Sequence, residues 1–327
     1  MRAIHATAAG GPEVLSVVDV PAPEPGPGEL LVDVAAAGVN FIDTYKRSNV
    51  YPMPFPHTAG EEGAGTVRAV GEGVTELAPG DRVAWASAPG SYAEQVLVRA
   101  DVALPVPAGV DLETAAALPL QGMTAHYLVA STFPVQPGHT VLLTAAAGGV
   151  GLLLTQLATA RGARVIGLVG SAEKEALARE AGAAEVIRYT ELDDLTTELP
   201  ALVRDLTDGV GGDVAYDGVG KDTFDASLAS LRRRGMLVLF GGASGQVPPF
   251  DPQRLNAAGS LFLTRPKMAD YTAEKAETRW RAGELFDAVA AGTLDVRVGA
   301  RYPLAEAARA HEALEGRATT GKVLLVP

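Results

Sequence analysis

The chain has 327 residues, 47% hydrophobic and 20% charged, which is typical of a globular protein and long enough for two domains. A formal net charge of −12 argues against nucleic-acid and anionic-membrane partners, because phosphate binding depends on lysine and arginine. The absence of cysteine excludes disulfides, thiol nucleophiles and cysteine-ligated zinc. No apolar signal-peptide core is found near the amino terminus, which predicts a cytoplasmic protein.

The first 120 residues contain short strand-like runs separated by proline and glycine clusters. PAPEPGPGE (21–29) precedes one such run, and GAGTVRAV (63–70) is another. Short runs at close spacing predict a partly open antiparallel barrel rather than alternating strands and helices.

From Pro119 onward, strand and helix patterns alternate, which predicts a doubly wound parallel sheet covered by helices. The six predicted strands are VLLT (141–144), ARVIGLV (163–169), AEVIRY (184–189), DVAYDGV (213–219), RGMLVLFGG (234–242) and SLFLTRP (260–266). After Pro266 the alternation stops. Helices predicted at 272–291 and 304–315 and a final strand, VLLVP, are expected to return to the first domain.

Residues 141–160 form a twenty-residue run without a charge, about the length that crosses a bilayer. Thr144, Thr155, Gln156 and Thr159 interrupt its apolar character, which argues against a membrane helix. Two interpretations remain: a buried strand, turn and helix without a ligand, or a nucleotide-binding turn. The second is favoured because the turn follows the first strand of the parallel pattern.

The turn itself reads AAGGVG and nearly matches the dinucleotide fingerprint GxGxxG. Gly148, Gly149, Val150 and Gly151 open a predicted helix, whose free N–H groups and dipole attract a pyrophosphate. Ala146 replaces the first glycine, a change that is tolerated only where the backbone avoids positive φ.

The end of the second strand indicates which dinucleotide binds. Enzymes that use NAD place an acidic residue here to bind the ribose 2′-hydroxyl. Gly170 stands at this place and Lys174 follows it, which favours a 2′-phosphate and therefore NADPH. Glu173 is the opposing signal, but it is expected at a helix start facing solvent. The alternative for Lys174 is an exposed first-turn lysine.

Several motifs together resemble the NADPH:quinone oxidoreductases, in the zinc-free branch of the medium-chain dehydrogenase/reductase superfamily. They are GVNFIDTYKRSNVYP (38–52), AGEEGAGTV (59–67), TAAAGGVG (144–151), LFGGASG (239–245), LTRP (263–266) and EGRATTGKVLLVP (315–327). They occur in the family's order and cover the whole chain.

The resemblance implies an α/β protein with a GroES-like catalytic domain, a partly open β-barrel, formed by residues 1–122 and 267–327. A Rossmann domain with a six-stranded parallel sheet, residues 123–266, would bind NADPH. The resemblance also implies a homodimer that pairs through the Rossmann edge strand SLFLTRP, whose apolar residues would otherwise be exposed.

Zinc-dependent relatives have a cysteine and a histidine where this chain has Asn40 and Glu61. His57, Glu61, Glu62 and Asp43 offer an oxygen-rich alternative set. Without the thiolate and imidazole ligands we expect no metal, so the chemistry would come from the cofactor.

Four residues are implied at the reaction site. Asn40 and Tyr45 would hydrogen-bond the nicotinamide carboxamide and the substrate, and Asn40 could also cap a short helix. Tyr51 would donate a proton or only line the pocket. Arg265 would attract an anionic or semiquinone-like acceptor or contact the cofactor, with an inter-subunit salt bridge as the alternative.

The resemblance assigns further residues to the cofactor. Ser171, Lys174 and Tyr189 would meet the 2′-phosphate end. Phe240, Gly241 and Ser244 would meet the nicotinamide half, and Arg317 would lie near the cofactor or in a solvated loop. His126, His139 and His311 lack a Ser/Asp partner pattern and are expected to be structural.

These observations predict an NADPH-dependent quinone reductase that transfers hydride directly and forms a cytoplasmic homodimer. One alternative is an NADPH-dependent reductase of activated C=C bonds in enones, enals or enoyl thioesters, with Tyr51 as acid. The other is a non-catalytic NADPH-binding structural or sensor protein.

Overall fold

The computed structural model describes all 327 residues, which form two compact units. The first unit comprises Met1–Met123 and Ala273–Pro327, and the second comprises Thr124–Thr272. The sequence places the second domain junction at Pro266. The second compact unit ends at Thr272 and includes Tyr271, whose ring stacks on that of Tyr127 with centroids 4.3 Å apart.

The first segment of the chain forms eight strands and three helices. The strands are β1 (Arg2–Ala6), β2 (Leu15–Asp19), β3 (Glu29–Val39), β4 (His57–Thr58), β5 (Glu62–Val70), β6 (Arg82–Trp85), β7 (Gln95–Arg99) and β8 (Leu104–Pro105). The helices are α1 (Phe41–Arg47), α2 (Leu112–Ala117) and α3 (Pro119–Tyr127), the last continuing as a π-helical turn over Leu128–Thr132. All pairings among these strands are antiparallel, as the sequence predicts.

The second unit alternates strands with helices. Its elements are β9 (Thr140–Thr144), α4 (Gly149–Ala160), β10 (Arg164–Val169), α5 (Ala172–Glu180), β11 (Glu185–Arg188), α6 (Leu195–Asp205), β12 (Gly212–Asp217), α7 (Phe224–Ala229), β13 (Leu231–Leu239), α8 (Gln253–Ala257), β14 (Phe262–Thr264) and α9 (Met268–Tyr271). The six strands are parallel in the order β11-β10-β9-β12-β13-β14. This arrangement confirms the predicted Rossmann sheet, whose order reverses at β9.

The uncharged run 141–160 is divided between β9, a glycine turn and α4. Leu142, Leu143 and Leu154 are fully buried, so the lack of charge reflects burial on both faces of a central strand and its helix. No helix of the protein combines the length and apolar character that crossing a membrane requires.

The last segment returns to the first unit. It forms α10 (Lys275–Ala290), β15 (Val298–Pro303), α11 (Ala307–Glu315) and β16 (Lys322–Val326). β16 pairs antiparallel with β3 and parallel with β15, in a sheet ordered β15-β16-β3-β5-β6-β8, where β7 also pairs with β3. The sequence analysis missed β15, whose residues are only partly buried and form no apolar run.

A polar network runs through the core of the first unit. Arg47 Nη1 lies 2.9 Å from His311 Nδ1, His311 Nε2 lies 3.2 Å from Tyr92 Oη, and Tyr92 donates to Asp43 Oδ2 at 2.9 Å. A guanidinium only donates, so Nδ1 accepts and the His311 proton is on Nε2. Every donor therefore points toward Asp43, whose Oδ1 has no partner.

Burial displaces the pKa values of two members of this network, Asp43 and His311, in opposite directions. Desolvation raises the pKa of Asp43 from 3.8 to about 7, with the nearby Glu61 charge adding to the effect. Desolvation, with the Arg47 charge, lowers the pKa of His311 from 6.5 to about 3. In the folded protein both groups are therefore neutral between about pH 4 and 6.5.

We predict that these two effects on stability cancel in the native chain. Unfolding releases the Asp43 proton between pH 3.8 and about 7, so that contribution falls as pH rises. Unfolding adds a proton to His311 between about pH 3 and 6.5, so that contribution increases with pH. Denaturant unfolding from pH 4 to 6.5 should show little net slope from this pair.

Single variants should expose each contribution. In His311→Gln, the free energy of unfolding should decrease by about 1.4 kcal/mol per pH unit across this range, relative to the native protein. In Asp43→Asn it should increase by a similar amount. Parallel pH profiles in all three proteins would contradict the assignment.

Candidate functional site

The glycine turn lies at the carboxyl end of β9. Gly148 is the N-cap of α4, and the first N–H groups of a helix, here those of Gly149, Val150 and Gly151, have no intrahelical acceptor. A Cβ at Gly151 would collide with the carbonyl oxygen of Ala145 and lie 2.8 Å from Ala146 Cα. Glycine is therefore required where α4 packs against the end of β9.

The rest of the turn leaves its donors accessible. Ala145 has a φ of 51°, whereas Ala146 is outside the left-handed region, so alanine fits where the fingerprint has its first glycine. A Cβ at Gly148 would meet only the Ala145 carbonyl oxygen, at 3.2 Å. The turn thus combines free N–H groups with space for an anion.

The residues expected at the 2′-phosphate directly follow two neighbouring strands, β10 and β11. Ser171 is the N-cap of α5 and accepts from the Lys174 backbone N–H at 3.3 Å, so Lys174 lies in the first helical turn. A Cβ at Gly170 would lie 2.6 Å from Tyr189 Oη. An aspartate or glutamate at position 170 would therefore displace Tyr189. Glu173 is exposed, as expected.

A buried carboxylate organises the turn after β12. Asp217 is inaccessible to solvent, and its Oδ1 accepts from the N–H groups of Val219 (2.9 Å) and Gly220 (3.0 Å). The same oxygen accepts from Thr144 Oγ1 at the end of β9, 3.2 Å away. Thr223 and Ser227 donate to Oδ2 from the start of α7, at 2.8 and 2.7 Å.

Phe240, Gly241 and Ser244 follow β13 and pack on this turn. Phe240 donates its N–H to the Asp217 carbonyl at 2.8 Å, and Ser244 Oγ donates to the Val219 carbonyl at 2.9 Å. A Cβ at Gly241 would lie 2.9 Å from Gly218 Cα. The segments after β9, β10, β12 and β13 thus follow the carboxyl ends of parallel strands and lie at one edge of the sheet.

Asn40 occupies a buried cluster in the first unit. Its Oδ1 accepts from Lys322 Nζ at 2.7 Å, and its Nδ2 donates to Glu62 Oε2 at 2.9 Å and to the Gly38 carbonyl at 3.2 Å. Lys322 also forms an ion pair with Glu62, and both side chains are fully buried. Glu62 Oε1 accepts the Leu120 N–H at 2.7 Å, in the first turn of α3.

Asn40 is the residue before α1, and its side chain hydrogen-bonds Lys322 and Glu62 in this cluster. Its backbone N–H donates to Asp43 Oδ2 at 2.8 Å, which is one half of a capping box. Gly38 is needed beside the cluster, because a Cβ there would lie 2.6 Å from Lys322 Cε and collide with Glu62.

The other expected reaction-site residues are more accessible. Tyr45 packs edge-on against Tyr51 with ring centroids 5.5 Å apart, and Tyr51 is exposed. Arg265 is exposed after β14, and its Nη1 donates a long hydrogen bond of 3.5 Å to the Pro266 carbonyl. Arg317, also exposed, has a φ of 56° in the turn after α11.

Members of the alternative oxygen-rich set have other partners. Glu61 pairs with Lys46, and Glu62 with Lys322. His57 Nδ1 lies 2.9 Å from the Pro54 carbonyl, which requires Nδ1 to donate. No group of three or more His, Asp or Glu side chains is arranged to hold a metal ion.

Sequence reasoning missed Lys322 and Asp217. It also missed that Glu62 is a hydrogen-bond partner of Asn40. A charged residue at the end of the apolar strand DVAYD was a signal for Asp217, since strand ends hold ligand-binding turns. For Lys322 the signal was a lysine that starts the otherwise apolar final strand.

The chain is similar to known dehydrogenases over its whole length. Residues 26–108 match the model of the alcohol dehydrogenase GroES-like domain, and residues 149–276 match that of the zinc-binding dehydrogenase. Although the second family model is named for zinc binding, this chain has no cysteine to ligate zinc.

Individual relatives cover both chains almost completely. A quinone oxidoreductase from Pseudomonas aeruginosa is 44% identical over 100% of this chain and 99% of its own. A 2-haloacrylate reductase from Burkholderia sp is 41% identical over 97% and 96%. The structure of a mycobacterial protein complexed with NADPH has a TM-score of 0.97 at 54% identity and covers 100% of each chain. The chain therefore belongs to the quinone oxidoreductase family of the medium-chain dehydrogenase/reductase superfamily.

Proposed function

We propose that the protein is an NADPH-dependent quinone reductase. The observation that carries the proposal is the full-length similarity to a quinone oxidoreductase, at 44% identity, together with a glycine turn at the edge of the Rossmann sheet. Bound NADPH supplies the hydride from its nicotinamide ring. The chain's own residues bind the cofactor, orient the reactants and exclude water.

The glycine turn fits the pyrophosphate of NADPH. Gly148 leaves space in front of the free N–H groups of Gly149, Val150 and Gly151. The N–H groups and the helix dipole stabilise an anion without a lysine or arginine.

Ser171, Lys174 and Tyr189 are proposed to hold the 2′-phosphate. Gly170 brings no carboxylate that would repel it, and the Tyr189 hydroxyl occupies the space where such a carboxylate would lie. The Ser171 hydroxyl and the Lys174 ammonium are suitable donors to a phosphate.

The remaining assigned residues are proposed to act nearer the nicotinamide. Phe240, Gly241 and Ser244 would line the nicotinamide half of the cofactor site. Asn40 and Tyr45 would position the reactants, and Tyr51 would line the acceptor pocket or donate a proton. Arg265 would attract the acceptor oxygen by its unshared positive charge, and Arg317 would lie near the cofactor.

Accordingly, residues 1–122 and 267–327 are proposed as the catalytic domain and residues 123–266 as the NADPH-binding domain. Cytoplasmic location and homodimerisation remain predictions. The support for a dimer is β14, the edge strand of the Rossmann sheet, where Phe262 is 55% exposed. An apolar side chain on an open edge is a suitable place for pairing with a second copy.

The acceptor is tested by a steady-state panel of 1,4-benzoquinone, 9,10-phenanthrenequinone, a 2-enal and a 2-enoyl thioester. We expect the highest kcat/KM with a quinone. Faster reduction of the enal or thioester would support the alternative, a reductase of activated C=C bonds. The similarity to a 2-haloacrylate reductase favours this alternative. Tight NADPH binding without turnover of any of the four would indicate a non-catalytic binding protein.

The 2′-phosphate assignment is tested by Lys174→Ala. Loss of a charge-assisted contact should raise the KM for NADPH about tenfold and leave the KM for NADH unchanged. Lys267→Ala removes another lysine of the compact unit Thr124–Thr272, with a 71% accessible side chain, and is the matched control. Equal effects of Lys174→Ala on both cofactors would contradict the assignment.

The dimer is tested by sedimentation equilibrium. The native protein should have twice the chain mass of 33.6 kDa. Phe262→Asp places a charge on the edge strand and should shift the equilibrium toward the monomer. A monomeric native protein, or a Phe262→Asp protein that dimerises as tightly, would rule out this interface.

A further inference from the structure

The first unit contains a cavity of about 440 Å³, a size typical of small-molecule sites. Its lining residues lie between Met1 and Leu97, so all of them belong to one compact unit. Asn40, Tyr45 and Tyr51 do not line it. The cavity is therefore not the proposed reaction site.

The wall of this cavity, here called the Asp43 cavity, combines apolar and ionisable side chains. Proline, valine, methionine, leucine and alanine form most of the wall, and the ionisable residues are Asp43, Lys46, His57 and Glu61. A mostly apolar wall with a few polar groups is typical of a binding site for a small molecule.

Asp43 contributes a buried carboxylate oxygen that has no partner. The side chain is only 4% exposed. Its Oδ2 accepts from the Asn40 N–H and the Tyr92 hydroxyl, whereas Oδ1 accepts from no group. Buried polar atoms normally have a hydrogen-bond partner, so an unpaired carboxylate oxygen beside a cavity points to a donor that a ligand supplies.

The other ionisable residues of the cavity add acceptors. Glu61 pairs with Lys46 through Oε1, and its Oε2 has no hydrogen-bond partner. His57 Nδ1 donates to the Pro54 carbonyl, which leaves Nε2 as an acceptor in the neutral ring. Lys46 is the one charged donor, and Glu61 already balances its charge. The free positions therefore favour a ligand that donates.

The charges of the cavity balance in two ways. Lys46 and Glu61 cancel each other, so an ionised Asp43 would leave one negative charge. Either a proton on Asp43 or a second cation beside it neutralises this charge. A bound cation would stabilise the ionised carboxylate and would therefore replace the proton.

The surroundings of Asp43 show that its proton is exchangeable near neutral pH. Desolvation, to which the Glu61 charge adds, raises the pKa of Asp43 from 3.8 to about 7. The Asn40 N–H, the Tyr92 hydroxyl and the Lys322 charge oppose this increase. The carboxyl group is thus mostly protonated at pH 6 and mostly ionised at pH 8.

An organic ammonium fits the cavity better than a metal ion does. No group of three or more His, Asp or Glu side chains is arranged to hold a metal ion. An ammonium group has three N–H donors for the acceptors of the cavity. An alkyl chain attached to it would remove the apolar wall from water, which a hydrated metal ion would not do.

We propose that the Asp43 cavity binds a primary alkylammonium ion, whose charge pairs with the Asp43 carboxylate and whose alkyl chain lies against the apolar wall. Binding exchanges the Asp43 proton, which passes to solvent, for the ligand cation. This site is additional to the proposed reductase activity and does not depend on it.

The test uses n-hexylammonium as the probe, with 1-hexanol as its uncharged counterpart and KCl as the metal-ion control, at equal ionic strength. Binding to the native protein is followed by ¹H–¹⁵N chemical-shift titration, and proton release by pH-stat. The ammonium should shift the backbone signals of Gly60 and Gly90, which line the cavity. Neither 1-hexanol nor KCl should reproduce these shifts.

The proton exchange has a specific pH dependence. At pH 6 about one proton should be released for each bound ammonium, and at pH 8 almost none. The dissociation constant should be about tenfold lower at pH 8 than at pH 6, because the carboxylate is then already ionised.

Variants locate the charge that binds the ligand. Asp43→Asn has no exchangeable proton, so it should bind the ammonium about tenfold more weakly at pH 8 and show neither proton release nor pH dependence. Glu61→Gln leaves the Lys46 charge unpaired and should also weaken binding. Asp287→Asn, exposed in α10 and outside the cavity, is the control and should behave as the native protein does.

Several results would contradict the proposal. Equal shifts with 1-hexanol or with KCl would overturn the ammonium assignment. Ammonium binding that releases no proton at pH 6, or that keeps its pH dependence in folded Asp43→Asn, would overturn the pairing with Asp43. Shifts confined to residues outside the cavity would refute the site itself.

Discussion

The ion pair between Glu62 and Lys322 holds together parts of the first unit that are distant in the chain. Glu62 begins β5 and Lys322 begins β16, 260 residues later. Asn40 before α1 and the Leu120 N–H at the start of α3 also donate to Glu62, and the Asn40 amide oxygen accepts from Lys322. Burying two charges is costly, and removing one partner from such a pair costs about 3–5 kcal/mol. The pair is therefore tolerated only in the complete arrangement.

Asp217 has a comparable position in the second unit. It accepts hydrogen bonds from the end of β9, from the turn after β12 and from the start of α7. The glycine turn begins directly after Thr144, so the same carboxylate anchors the strand that carries it. In both units a buried carboxylate fixes the polar segment next to the residues that we propose as ligand contacts. Tyr51 and Arg265, which are exposed, have no buried carboxylate beside them.

The regular elements of the second unit could be predicted because their signals are local. β9 and β10 are apolar on both faces, and Ser171 and Gly182 mark the ends of the helix between β10 and β11. Boundaries were less accurate: β13 was predicted at 234–242 but comprises Leu231–Leu239. Leu231 already pairs with Gly212 of β12, and a register shift separates it from the regular pairing that begins at Met236. β15 was missed because a half-exposed strand has no apolar run to reveal it.

The sequence by itself determined the two kinds of sheet, the glycine turn and the absence of an acidic residue at Gly170, because each depends on neighbouring residues. Only the tertiary structure decided that Asn40 faces a lysine and a glutamate, since Lys322 lies 282 residues away. It also decided that Asp43 and His311 have pKa values displaced in opposite directions, because desolvation depends on burial by distant segments. Spacing along the chain gives residue types at a site, whereas hydrogen-bond direction and charge state follow from the contacts that folding creates.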